Sequence, residues 1–281
     1  VNVLVSSICF INHNKLHVGS EIYATFANRL IESTMENTPF DFRIATNRPD
    51  LFEEILQKWP DRVSILIDKL ENNQVQVGPF NQLLKFFALK DIPESYDYVL
   101  YLDCDASFCK PIDMNLLKMH IEYIENQGYN GMVNRSYTNY LIGCLMEHEV
   151  YKEKLELSIK EGKEEFIPKN LFSHKFDFYD VTMENIPEEW KDATLPCEHI
   201  IFLKNETGKI QMVSDKISEF NDKLETQVNE PYIRCISDME AFEIGISAKL
   251  AGFKFSEIDT YVHNDVLSVK FNGSNWEGVK L

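Results

Sequence analysis

The chain has 281 residues, and 28 Lys and Arg against 45 Asp and Glu leave a formal charge of −17 at pH 7. A surface so acidic repels a polyanion and excludes nucleic acid as a partner, so any anionic ligand needs a local remedy. The 44% apolar and 12% aromatic content supplies a core, and the length suits one large α/β domain or two small ones.

The first half alternates short apolar runs with amphipathic stretches, the signature of βαβ units and a largely parallel sheet. Strands are predicted at Val3 to Ile11, Phe40 to Ala45, Val63 to Ile67 and Tyr98 to Leu102. Their apolar runs are nearly continuous, as in strands covered on both faces. Helical periodicity fills Glu21 to Glu36, Asp50 to Lys58 with Asp50 as cap, and Phe80 to Lys90. A helix from Asp113 to Asn126, a strand around Met132-Val133 and a helix from about Glu147 to Lys160 come next. Residues 161–191 read as an insertion dense in aromatics, including Phe166, Phe172, Phe176, Phe178, Tyr179 and Trp190. Cys197 to Lys204 and Lys209 to Val213 read as a hairpin about Asn205-Glu206-Thr207-Gly208. A helix from Asp238 to Ala251 with a left-handed stop at Gly252, then a strand from Phe253 to Ile258, close the pattern.

The longest apolar runs, such as Val3 to Ile11, are too short to span a bilayer, and no basic n-region precedes them within the sequence. The six cysteines (Cys9, Cys104, Cys109, Cys144, Cys197, Cys235) are scattered and form no CxxC pair. They read as reduced, mostly buried thiols, which makes a cytoplasmic location the expectation.

The sharpest chemical feature is Tyr98-Val99-Leu100-Tyr101-Leu102-Asp103-Cys104-Asp105. In open α/β sheets ligands bind outside the carboxyl ends of the strands, where these aspartates stand. Two close carboxylates repel unless a cation joins them, and hard divalent ions accept oxygen ligands of this kind.

An apolar strand running into Asp-x-Asp after about a hundred residues of βα units resembles the GT-A glycosyltransferases, which use nucleotide sugars. The resemblance implies an α/β GT-A (Rossmann-like) fold with a mostly parallel central sheet flanked by helices and a C-terminal acceptor-side portion. It implies one catalytic domain over 1–281: residues 1–112 as the nucleotide-sugar half ending in the Asp-x-Asp, and 113–281 as the acceptor-side half with the insertion near 161–191. Asp103 and Asp105 would then hold Mn²⁺ or Mg²⁺ that bridges the donor diphosphate, with His263, in Tyr261-Val262-His263-Asn264, as a further ligand. Lys270 and Gly273 loosely echo a Gly-Lys-rich continuation seen in some branches.

The family also places an acidic residue at the start of a late helix as the base of inverting members. Cys235-Ile236-Ser237-Asp238-Met239-Glu240 resembles that element, with Asp238 and Glu240 as candidates; helix capping by Ser237 or Asp238 is the competing role. Donor contacts implied by the resemblance are Phe10, Ile11, Asn12 and His13 after the first strand, Asn47 after the second, and Lys85, which shares a helix face with Asn81. Asp103 and Cys104 join them, and Asn134 and Arg135, which end the strand after the Asp-x-Asp, are candidates for contact with the sugar or the acceptor. The implied partners are a nucleotide-sugar donor, UDP-linked as the family's commonest carrier, and a glycan or glycoprotein acceptor, for which the aromatic-rich stretch from Phe166 to Trp190 is the expected acceptor-binding or lid segment.

Three other readings compete. A haloacid-dehalogenase-type phosphatase also carries DxD after an apolar strand, and Ser107 stands where that family usually has Thr. That motif, however, belongs on the first strand of its domain. A sugar-nucleotide pyrophosphorylase would need a Gly-rich basic loop where Asn12-His13-Asn14-Lys15 has no glycine. A non-catalytic metal- or carbohydrate-binding module has neither EF-hand spacing nor a cluster of tryptophans behind it.

Overall fold

A computed structural model describes residues 1–11, 22–67, 88–89, 91–134, 139–163, 173–196, 200–227, 240–258 and 266–271. In chain order these hold β1 (Val3–Cys9), α1 (Ile22–Asn37), β2 (Asp41–Thr46), α2 (Glu53–Lys58), β3 (Val63–Ile67), β4 (Tyr98–Leu102), β5 (Ala106–Phe108) and α3 (Met114–Asn126). There follow β6 (Gly131–Asn134), β7 (Asn139–Tyr140), α4 (Leu141–Glu161), α5 (Ser173–Tyr179), β8 (Thr194–Leu195), β9 (Ile200–Lys204), α6 (Thr207–Gln227), α7 (Glu240–Leu250), β10 (Phe255–Ile258) and β11 (Val269–Phe271).

Seven strands form one sheet in the order β10-β6-β9-β4-β1-β2-β3. The β4-β1-β2-β3 block is parallel, as is the β6-β10 pair, whereas β9 runs antiparallel to both β4 and β6. The fold class is the expected one: α/β, with a mostly parallel central sheet flanked by helices. Along β4 the side chains alternate between the two covering layers. Tyr98, Leu100 and Leu102 pack with α1 and α3 through Leu30, Ile31, Ile121 and Ile124, while Val99 and Tyr101 face Ile210, Val213, Ile244 and Ala248 of α6 and α7. All five residues of β4 are buried, and each aliphatic side chain contributes about 1.5–3 kcal/mol by leaving water. This two-sided burial is why the run shows no polar alternation in the sequence.

Several elements depart from the sequence reading. The predicted hairpin at 197–213 is instead β9 followed by the long helix α6. Ile210, Val213 and Ile217 are buried at a spacing of three and four, a helical period that the five residues Lys209 to Val213 are too few to display. Helix α4 starts at Leu141 rather than Glu147, because Leu141, Cys144, Leu145 and His148 form its buried stripe. Asp50 does not cap a helix: Pro49–Phe52 is a 3₁₀ turn, and the Asp50 carboxylate pairs with Arg48 at 2.8 and 2.6 Å. The predicted helix at 80–90 lies outside the described residues except at Ala88 and Leu89, which are buried.

The insertion is also reassigned in part. Phe176, Tyr179 and Val181 join Leu141, Leu145, Leu195 and Phe242 in a third apolar cluster, with Phe178 and Trp190 packed against it. Tyr179 stacks on Phe242 at 5.5 Å and 5°, and its hydroxyl donates to Glu243 at 3.3 Å. These rings are consumed in packing the insertion against α7; Phe166 and Phe172 lie outside the described residues.

The stop of α7 is as expected. Gly252 adopts φ +81°, and Phe253 N–H closes back on the Ala248 carbonyl at 2.9 Å, the six-to-one bond of a left-handed helix end.

Candidate active site at the carboxyl end of the sheet

The parallel strands β1, β2, β4 and β6 all end on the same edge of the sheet. From β1 the chain passes to β2 on one side and later to β4 on the other, so the strand order reverses between β1 and β4. Helices leaving in opposite directions from such a point leave a crevice outside the strand ends, and Asp103 directly follows β4 there.

Asp103-Cys104-Asp105-Ala106 is a tight turn closed by Ala106 N–H donating to the Asp103 carbonyl at 2.9 Å. Burial alternates through it: Asp103 and Asp105 are half-buried, whereas Cys104 and Ala106 are anchored in the core. The turn thus keeps both carboxylates partly open to solvent. Beyond it, β5 pairs antiparallel with β11, setting Lys270 opposite Ser107 and Phe271 opposite Ala106. Ser33 of α1 holds the β5 end, its Oγ accepting from Phe108 N–H at 3.1 Å. Residues Val269–Phe271 are thereby brought beside the Asp-x-Asp turn; the resemblance implied a C-terminal approach, but the strand pairing itself has no signature in the residue spacing.

Two tyrosines at this site were not singled out from the sequence. The Tyr101 hydroxyl donates to Asp103 Oδ1 at 2.9 Å. Residues two apart on a strand share a face, so this pairing was readable in Tyr-Leu-Asp. Tyr23, in the first turn of α1, is the other. Burial pushes its phenol up to about 12, and the neighbouring groups Cys104, Asp105, Asp103 and Cys9 act in the same direction. Its place beside the strand end is set by how α1 packs, which sequence spacing does not reveal.

The neighbouring strand ends are stapled together. The Asn47 side chain accepts from Ile11 N–H and donates to the Ile11 carbonyl, each at 2.9 Å, and Thr46 Oγ1 donates to the Cys9 carbonyl at 2.7 Å. Asn47 therefore holds the exit of β1 in place. Phe10 and Ile11 bury their side chains in the core, so what they present at the edge is main chain. Cys104 likewise contributes its side chain to the core, and burial drives the Cys9 thiol up to about 12. Asn134 closes β6 fully buried.

Asn12, His13, Asn81, Lys85, Arg135, Asp238, His263 and Gly273 lie outside the described residues. Glu240 is the first residue of α7. Glu243, one turn inward and fully buried, is a further carboxyl on that helix which the sequence did not distinguish from its neighbours.

The donor set suits a hard divalent cation. Among the described residues no third His, Cys, Asp or Glu joins Asp103 and Asp105 in a metal-binding group. Two carboxylates are what Mg²⁺ characteristically takes from a protein, its other positions going to water and phosphate oxygens. A separate cavity of about 340 Å³ lies between α1 and the β5–β11 ribbon, lined by Arg29, Glu32, Ser107, Cys109 and Lys270 among others. Neither aspartate lines it, so it is distinct from this site.

No helix among the described residues is long and apolar enough to cross a membrane. No protein-family model matches the chain, and no curated protein matches it. Among solved structures the chain is similar to mouse xyloside xylosyltransferase 1 in its apo form, with 11% sequence identity, 92% of this chain and 84% of that chain covered, and a TM-score of 0.41.

Proposed function

We propose that this chain is a metal-dependent glycosyltransferase that moves a sugar from a nucleoside-diphosphate donor, UDP-linked in our reading, to a hydroxyl of a glycan or glycoprotein. The observation that carries the reading is the position of Asp103 and Asp105. They are half-buried on a tight turn at the carboxyl end of the central strand β4, beside the point where strand order reverses.

Asp103 and Asp105 would hold Mn²⁺ or Mg²⁺, with His263 as the further ligand. The ion supplies Lewis-acid stabilisation of the charge that grows on the leaving diphosphate. The β1 exit, fixed by Asn47, lines the nucleoside side of the crevice. Tyr23 offers a neutral hydroxyl donor near the carboxylates. Asp238 or Glu240, at the start of α7, takes the acceptor proton in an inverting reaction; a retaining front-face route needs no such base. Lys85 is assigned to the donor diphosphate or ribose.

The test is donor hydrolysis across a panel of nucleotide sugars, with Mn²⁺ and with EDTA. One UDP-sugar should turn over in Mn²⁺ only, and Asp105→Ala should reduce the rate by about two to three orders of magnitude. Turnover of p-nitrophenyl phosphate with none of any nucleotide sugar would replace this reading with the phosphatase one.

A further inference from the structure

The bond between Tyr101 and Asp103 has a geometry that a core tyrosine does not need for packing alone. Tyr101 is fully buried in the apolar cluster on the α6 and α7 side of the sheet, directly opposite Ile201 of β9. Its hydroxyl reaches past the strand end to Asp103 Oδ1 at 2.9 Å. The phenol is the donor, because a carboxylate only accepts, and hydrogen bonds to an ionised acceptor are the stronger kind. The pairing fixes one Asp103 side-chain conformation from a ring that is itself immobilised by close packing. It also offsets part of the repulsion between two carboxylates one residue apart.

We propose that Tyr101 is a positioning residue that presets the Asp103 carboxylate for a divalent cation. The inference rests on the reading of Asp103 and Asp105 as cation ligands and adds a residue to it. Partners that orient a ligating group through a hydrogen bond commonly govern metal affinity by about 10- to 100-fold without touching the ion.

The experiment is Mn²⁺ binding to the full chain, followed by the electron paramagnetic resonance signal of the free ion, with and without UDP. Tyr101→Phe keeps the ring and removes only the hydroxyl. The expected result is a rise of about tenfold or more in the Mn²⁺ dissociation constant. Tyr98→Phe is the control, since Tyr98 lies on the same strand and its hydroxyl donates to Glu125 Oε1 at 2.7 Å, away from the aspartates. It should cost stability without weakening Mn²⁺ binding, separating preorganisation from a general effect on β4. Wild-type and Tyr101→Phe chains binding Mn²⁺ equally would overturn the inference alone, as would equal weakening by Tyr98→Phe. A wild-type chain that binds no Mn²⁺ under either condition would overturn the cation reading itself, and the inference with it.

Discussion

Gly245 gives the sharpest test of how α7 is seated on the rest of the fold. It lies inside α7, where replacing glycine by alanine ordinarily stabilises a helix by about 1 kcal/mol. Here an added Cβ would stand 2.5 Å from the Thr194 carbonyl oxygen, 3.1 Å from Leu195 Cα and 2.9 Å from Leu195 Cδ2. Two of these are main-chain atoms of β8, which is paired with β7, so they cannot swing aside as a side-chain tip would. Overpacking costs about 1–3 kcal/mol, and a main-chain contact as close as 2.5 Å belongs in the upper part of that range, about 2–3 kcal/mol, so that set against the propensity gain it leaves Gly245→Ala destabilised by roughly 1–2 kcal/mol. Gly143, in the first turn of α4, has nothing within 4 Å of a built Cβ, and Gly143→Ala should stabilise by about 0.5–1 kcal/mol. Urea unfolding followed by circular dichroism separates the two variants, with the midpoint moving in opposite directions at constant slope. Because α7 begins at Glu240, a candidate base of the proposed reaction, the shift forced by Gly245→Ala should also lower kcat for the proposed sugar transfer. A Gly245→Ala protein as stable as wild type or more so would refute the claim that α7 is seated directly on the β8 backbone.

Two further outcomes follow from the hydrogen bonds. Asn47→Ala strips both partners from the buried Ile11 main chain, and should cost about 1–3 kcal/mol and raise the donor KM more than it lowers kcat; an unchanged urea midpoint would count against the staple. The Glu125 carboxyl is held below its ordinary value near 4.5 by hydrogen bonds from Lys204 and then Tyr98. Its contribution to stability is therefore complete above about 4.5 and is lost as pH falls through the lower folded value. Lys204→Met should raise the Glu125 titration midpoint seen by carboxyl NMR and move acid unfolding to higher pH, and an unmoved midpoint would show that Lys204 is not the main cause.

Much of the sheet was legible because burial on two faces leaves a run such as Tyr98 to Leu102 apolar throughout, and strand ends then mark where a ligand can sit. The Asp-x-Asp was legible for the same reason, since carboxylates directly after a buried strand have few explanations. The pairing of Tyr101 with Asp103 was also present in the residue spacing, as strand alternation puts both on one face. Helix α6 was misread where Ile210 and Val213 were taken over too short a window to show their period. The aromatics of the insertion look alike in sequence whether they bind an acceptor or fill a core; only the stacking of Tyr179 on Phe242 decided for packing.

By itself the sequence determined the α/β class, the positions of the first four strands along the chain and the pair of carboxylates on which the proposed chemistry rests. These follow from local rules: hydrophobic period, run length and the chemistry of adjacent side chains. The tertiary structure alone decided that β9 is inserted antiparallel between β4 and β6, and that β11 is the strand paired with β5 after Asp105. Each of those is a contact between segments far apart in the chain, selected by packing free energy over the whole core rather than by any property of the residues in between.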